Sequence, residues 1–390
     1  MISVAQALDA LFALAPVLPA QAVPIRHASG RVLASDVTAT RDQPPFAASA
    51  MDGYAVGGAR PDVDDTFTVI GEAAAGQGFA GSVGPAQAVR IFTGAPLPDG
   101  STRVIIQENV ARQGDQFTVT AMPSDATFIR PAGGDFKCGD SVLAPRLLGP
   151  SDIAHLASMG AATVSVTRKP VVAIISTGDE LVQPGEVPSG DQIIASNSYG
   201  LAALIESIGA EARLLPIARD TLSSLALAFD LAKGADLILT IGGASVGDHD
   251  LVAKAAADHG LDQSFYKVAM RPGKPLMAGR MGTAMMIGLP GNPVSSMVCG
   301  QIFVLPVLRK MLGLPAGPAP RTKAKLTHSL RPNGAREHYM RAHLEDGQVT
   351  VFDRQDSALL SVLAQANCLA VRAPDDGSRL TGDRLDIIKI

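Results

Sequence analysis

The chain has 390 residues, 47% hydrophobic and 18% charged, which allows roughly two to four cored domains and excludes wholesale disorder. Its 33 Lys and Arg against 37 Asp and Glu leave a net charge of −4, so no basic surface is offered to nucleic acid and any anion site must be local. Cys138, Cys299 and Cys368 lie far apart without CxxC spacing, which points to reduced, buried thiols rather than a zinc site or a disulfide framework. Arg26 is the first cation, Asp9 interrupts the first apolar run, and no apolar run approaches the roughly 18 residues of a membrane span. The expectation is a cytoplasmic protein with neither a nucleic-acid nor a membrane partner.

Ser3 followed by Gln6 predicts a capping box, and Val4, Leu8, Leu11, Phe12 and Leu18 recur at helical spacing, giving a first helix that ends near Pro16 or Pro19. From 25 to 148 the pattern becomes short β-type runs, at 67–70, 88–92, 104–107 and 117–121, with long loops at 43–54 and 93–100. A helix over 151–160 closes on Gly160. Beyond Pro170, unbroken apolar strands at 171–176, 212–217, 236–241, 265–270 and 283–289 alternate with helices at 197–208, 221–233 and 293–312. That alternation predicts a doubly wound, mostly parallel sheet covered on both faces. After a Pro-rich stretch, short strands at 324–326, 339–344, 348–351, 368–371 and 385–388 predict a small C-terminal β-barrel. The predicted fold is therefore multidomain α+β and α/β. A β-rich N-terminal region with a helix, in two subdomains, covers 1–168, the α/β domain 169–313 and the barrel 320–390.

In an open α/β sheet, ligands bind where loops leave the carboxyl ends of the strands. Four loops qualify: Thr177-Gly178-Asp179-Glu180, Gly242 through Asp250, Arg271-Pro272-Gly273-Lys274-Pro275, and Leu289 through Ser296. Parallel strands put all four on one edge. Gly242, Gly243 and Gly247 would let backbone N–H groups converge on phosphate oxygens, and Asn292 with Pro293 would start a helix aimed at the same crevice. Arg271, Lys274 and Lys267 supply cations; Asp179, Glu180, Asp248 and Asp250 are hard oxygen ligands suited to Mg²⁺ beside phosphates. Taken singly, each loop reads as a turn or a surface charge, and neither GxxxxGK[ST] nor GxGxxG occurs. His249 reads as a solvated loop histidine, and Ser245 and Ser295 lack a His–Asp partner pattern, which argues against a serine hydrolase. Together on one edge they predict a site for a phosphorylated small molecule and a divalent metal. Three further loops, around Asp52, at 93–98 and at 130–135, carry stiff or acidic residues and read equally as turns or as binding loops.

Six motifs occur in order: Ser49-Ala50-Met51-Asp52-Gly53-Tyr54-Ala55-Val56, Thr93-Gly94-Ala95-Pro96, Ser176-Thr177-Gly178-Asp179-Glu180-Leu181, Gly242-Gly243-Ala244-Ser245-Val246-Gly247-Asp248, Pro272-Gly273-Lys274-Pro275 and Leu289-Pro290-Gly291-Asn292-Pro293-Val294-Ser295. End to end, the chain resembles the molybdopterin molybdenumtransferase family, MoeA and the E-domain of gephyrin. The resemblance implies a four-part protomer in an elongated homodimer, with a site shared between the central domain of one subunit and the N-terminal region of the other. It implies a cytoplasmic, Mg²⁺-dependent transferase of molybdenum cofactor biosynthesis, which inserts molybdenum from molybdate into adenylylated molybdopterin and releases AMP. It also allows transient contact with an adenylyltransferase and with molybdoenzymes.

By motif match, the resemblance gives catalytic roles to Asp52, Thr93, Asp135, Glu180, Asp220, Lys267, Arg271 and Lys274. Substrate contacts fall to Ser176, Thr177, Gly178, Gly242, Gly243, Ser245, Gly247, Pro290, Gly291, Asn292 and Ser295, and more loosely to Arg336, Arg341 and Ser357. Metal ligands fall to Asp248 or Asp250, the motif leaving open which, together with Glu180. Two positions depart from the family pattern: Asp356 stands where Gly precedes the serine, and Ala244 where Val is usual. Competing expectations are a molybdopterin adenylyltransferase, which shares the central domain but not the flanking regions, and a non-catalytic dimeric scaffold.

Overall fold

The computed structural model describes residues 1–243 and 251–390. At its centre is a six-stranded sheet in the order Glu211–Leu214, Val171–Ser176, Leu237–Ile241, Ala284–Leu289, Met277–Met281, Leu261–Tyr266. The first four strands are parallel. Met277–Met281 runs antiparallel to both its neighbours, so Leu261–Tyr266 points the same way as the parallel set. Val172 and Ile174 enter one core while Ala173 and Ile175 enter another, which is why the strand reads as an unbroken apolar run. Helices Asn197–Glu206 and Pro293–Cys299 cover the first face; Leu222–Leu231 and Leu251–Asp258 cover the second. The first helix, Val4–Leu14, starts on the expected capping box and buries Leu8 and Leu11 in the first core.

Several elements differ from the sequence expectation. The strand expected over 265–270 ends at Tyr266, because Lys267 takes φ +77°; Met270–Arg271 instead pairs in parallel with Glu337–Glu345 of the C-terminal sheet. The antiparallel strand Met277–Met281 has no counterpart in the sequence expectation, since Gly279 and Arg280 break its apolar pattern. Helices Leu251–Asp258 and Leu360–Gln365 likewise have none, both being too short for a strong periodic signal. The last helix of the α/β part is interrupted by a π segment, Gly300–Val304, just before Pro306, which lacks the N–H an α-turn would need there. This helix, Pro293–Met311, has the length and hydropathy of a membrane span, but 72% of it is buried within the protein. Core packing accounts for its apolarity.

The N-terminal part holds two larger sheets and two two-stranded ones, Ala48–Ser49 with Ile129–Arg130 and Val37–Thr38 with Ser141–Val142. One larger sheet, Ala20–Pro24, Thr163–Thr167, Val32–Leu33 and Arg146–Leu147, packs on helix Pro150–Ser158. The other larger sheet has six strands, with Gly53–Val56 between Arg103–Ile106 and Gln87–Ile91. At the C-terminus, Glu337–Glu345 pairs with both Gln348–Val351 and Cys368–Arg372, closing the expected small barrel.

Candidate active site

The carboxyl edge of the central sheet opens into a cleft of 690 Å³. Ser176, Thr177, Gly178, Glu180, Asp220, Gly242, Gly243, Pro290, Gly291 and Asn292 all line it. Its floor extends the sheet: Thr177 N–H donates to Ile241 O at 3.0 Å, Gly178 N–H to Ala218 O at 3.1 Å and Gly242 N–H to Leu289 O at 3.1 Å. Those three amides are thus taken up by the sheet rather than left for a ligand. Gly242 and Gly243 have φ +93° and +67°, and a Cβ would strike Thr177 O at the first and the Val252 side chain at the second. Only glycine lets these loops approach so closely.

Arg219 joins two of the loops by donating from Nη1 to Asp179 O at 2.9 Å and Leu181 O at 3.3 Å. Asp220 N–H donates to Asp179 Oδ1 at 3.2 Å. Burial pushes the Asp220 carboxyl above the usual carboxylate range, and the charges of Asp179 and Glu180 add to the shift. Asn197, missed in the sequence, donates from Nδ2 to Gly291 O at 2.8 Å and lines the cleft. Ile193 and Ile194, 58% and 46% exposed, form an apolar wall on the same cleft; an exposed Ile-Ile pair is the signal that could have flagged them.

A second recess of 350 Å³ adjoins the cleft and shares Pro275, Pro290 and Asn292 with it. Arg271, Lys274, Arg336, Ser295 and Ser357 line this recess. Asn292 is the N-cap, with Pro293 at the first helical position, yet its side chain makes no capping bond. Val294 N–H is taken by Ser357 O at 2.9 Å, which ties the C-terminal barrel to the helix start. Arg341 does not line either recess. It is 0% exposed, and its Nη2 donates to Asp356 O at 2.9 Å, so it holds the loop at 354–356 from beneath. Asp356, where glycine was expected, accepts from Ala358 N–H at 2.8 Å and closes a turn. Lys267 also lines neither recess; its Nζ lies 5.0 Å from the Tyr266 ring centroid. Behind the recess, burial lowers the His338 pKa to about 4, helped by the charges of Arg271, Arg341, Arg372 and Arg336.

The three N-terminal loops come together. Gly94 N–H donates to Ser49 O at 2.9 Å, Ser49 N–H to Ala95 O at 3.0 Å and Gly133 N–H to Pro44 O at 2.9 Å. Asp52 Oδ1 accepts from Thr93 N–H and Thr93 Oγ1, both at 2.7 Å. The Thr93 amide, then its hydroxyl, hold the Asp52 carboxyl below the usual range, with a smaller contribution from the Arg90 charge. Asp135 lines a recess of 600 Å³ with Pro44, Gly94 and Arg130. This recess shares no lining residue with the central cleft. Ser245, Gly247, Asp248 and Asp250, with His249, lie outside the described residues. Among the described residues, no group of three or more His, Cys, Asp or Glu is gathered to hold a metal ion.

Comparison with known proteins covers nearly the whole chain. Residues 2–160 match the family model of the MoeA N-terminal region (domain I and II), 173–310 that of a probable molybdopterin binding domain, and 323–390 that of the MoeA C-terminal region (domain IV). A molybdopterin molybdenumtransferase of Nostoc sp. is 37% identical, over 95% of this chain and 90% of its own length. One of Haemophilus influenzae is 35% identical, over 93% of this chain and 92% of its own. Among solved structures, the molybdopterin biosynthesis moeA protein of Pyrococcus horikoshii OT3 superposes with a TM-score of 0.85, at 28% identity and covering 100% of both chains.

Proposed function

The chain belongs to the MoeA family, and from that premise we propose that it is a molybdopterin molybdenumtransferase acting in molybdenum cofactor biosynthesis. It takes adenylylated molybdopterin and molybdate as substrates, inserts the metal into the pterin dithiolene and releases AMP. One observation carries this reading. The roomy, carboxylate-bearing cleft and the cationic recess share a wall of Pro275, Pro290 and Asn292, so two anionic substrates can lie side by side.

In this reading the cleft holds the adenylyl phosphate against Ser176, Gly243 and Asn197, while Ile193 and Ile194 offer an apolar wall to a ring. Arg271, Lys274 and Arg336 neutralise the tetrahedral oxyanion in the recess. Such a reaction depends on alignment and charge neutralisation more than on a covalent nucleophile. Glu180 and Asp220 fit a divalent cation: burial first, then the charges of Asp179 and Glu180, push the Asp220 carboxyl up, and a cation would relieve that like-charge crowding. Mg²⁺, when bound, would neutralise phosphate charge; Asp248 or Asp250 completes the set by motif. Asp52, kept ionised by Thr93, acts as a proton acceptor supplied by the second subunit of a homodimer. The free, unpaired cysteines suit a reducing compartment, and a cytoplasmic location belongs to the proposal.

The test uses purified protein with Mg²⁺ and adenylylated molybdopterin, with and without molybdate. AMP release that depends on molybdate is expected. Pyrophosphate release from ATP and molybdopterin would instead make it an adenylyltransferase. If Lys274→Ala and Asp52→Asn variants restored molybdoenzyme activity in a deficient strain, a scaffold role would replace the enzyme.

A further inference from the structure

Arg90 lies on the strand beside the Asp52 loop, yet no motif singled it out. Strand Gln87–Ile91 pairs with Gly53–Val56 so that Arg90 stands opposite Tyr54. Its guanidinium lies 4.6 Å from the Phe92 ring centroid and 5.2 Å from that of Tyr54. Flanked by these two rings, the guanidinium is restricted in where it can lie. Nη1 donates to Gly53 O at 2.9 Å, and Nη2 donates to the Gln107 side-chain Oε1 at 2.7 Å. Gln107 N–H in turn donates to Asp52 O at 3.2 Å. The backbone is therefore clamped on both sides of the Asp52 side chain: at the Asp52 carbonyl through Gln107, and at the Gly53 carbonyl directly.

We propose that Arg90 is the positioning residue of Asp52, acting through a two-pronged bridge from Gly53 O to Gln107 that fixes where the carboxylate meets Thr93. The inference rests on the reading of Asp52 as a reacting group. Thr93 binds the carboxylate itself, so Thr93 sets the charge and Arg90 sets the place. Arg90 is the charged group that faces Asp52, and it makes no ion pair with it among the described residues. A lysine at this position would keep the positive charge but could not bridge the two acceptors or stack as a plane.

The experiment compares Arg90→Lys and Arg90→Met with the parent in the full chain. It measures turnover, KM for adenylylated molybdopterin, and the titration of the Asp52 carboxyl by carbon-13 NMR, with near-ultraviolet circular dichroism to check the fold. Expected for Arg90→Lys is a loss of about tenfold in kcat with KM little changed, since a shift of the carboxylate by a fraction of an ångström suffices. The Asp52 carboxyl resonance should broaden or move, and in Arg90→Met its midpoint should also rise. A folded Arg90→Lys with parental kcat and a parental Asp52 resonance overturns the inference, whatever Asp52 does. An active Asp52→Asn variant overturns the catalytic reading of Asp52 instead; an Asp52 resonance still perturbed in Arg90→Lys would then support the clamp alone.

Discussion

Thr93 donates twice to one oxygen of Asp52, from its amide and from its hydroxyl, and both bonds favour the charged form. Replacing Thr93 by Val removes the hydroxyl and leaves the amide. The Asp52 carboxyl, now held below the usual range, should then titrate higher, and the acid limb of a pH–rate profile should move to higher pH. A limb that stays in place would show that Asp52 does not govern it. Gly243 makes a different kind of demand. At φ +67°, with Val252 against its Cα, a Gly243→Ala variant combines backbone strain with a side-chain clash. A loss of about 1–3 kcal/mol in urea unfolding is expected, against a much smaller effect for alanine at the open, exposed Gly190. At this scale the sequence was informative: Ser176, Thr177, Glu180, Asp220, Gly242 and Gly243 all reach one cleft. It was uninformative for Arg90, and for Arg341 the motif match gave a substrate contact where the structure shows a buried side chain bonded to Asp356 O; a guanidinium's partners here are carbonyls distant in sequence, which no local pattern reveals.

At the scale of elements, the start of strand Glu337–Glu345 joins the α/β part to the barrel through its parallel pairing with Met270–Arg271. His338 sits at that junction, nearly buried and surrounded by four guanidinium groups. Its pKa falls from 6.5 to about 4, so the unfolded chain takes up a proton that the folded chain refuses. The unfolded state thus binds more protons in this window, and stability should fall as pH drops from about 6.5 towards 4, by at most roughly 1.4 kcal/mol per pH unit from this group. Urea midpoints across that range check it: a folded His338→Gln variant should show a shallower decline, and equal slopes would refute the assignment. The junction itself was not legible in the sequence. Residues 265–270 read as one strand on apolarity alone, whereas the left-handed turn at Lys267 divides them between two sheets.

At the scale of the whole molecule, neither Asp52 nor Thr93 lines the central cleft, and the recess beside them that holds Gly94 and Asp135 shares no lining residue with it. A shared site in a homodimer predicts complementation. Mixed dimers of Asp52→Asn and Lys274→Ala subunits would each contain one intact site, so refolding an equal mixture should recover about a quarter of the parental activity from two inert variants. No recovery in dimers verified as mixed would place both residues in one chain's site.

The sequence by itself determined the order of the parts, the parallel core and the sheet edge where the central cleft opens, because unbroken apolar strands, capping residues and glycine-rich loops are local signals written in consecutive positions. The first helix was legible from its capping box for the same reason. Only the tertiary structure decided which loops meet. It brought the stretches around Asp52, Thr93 and Gly133 into one assembly and set Arg271 beside Arg336 across about 65 residues of chain, because such contacts depend on how sheets pack and close rather than on any spacing along the backbone.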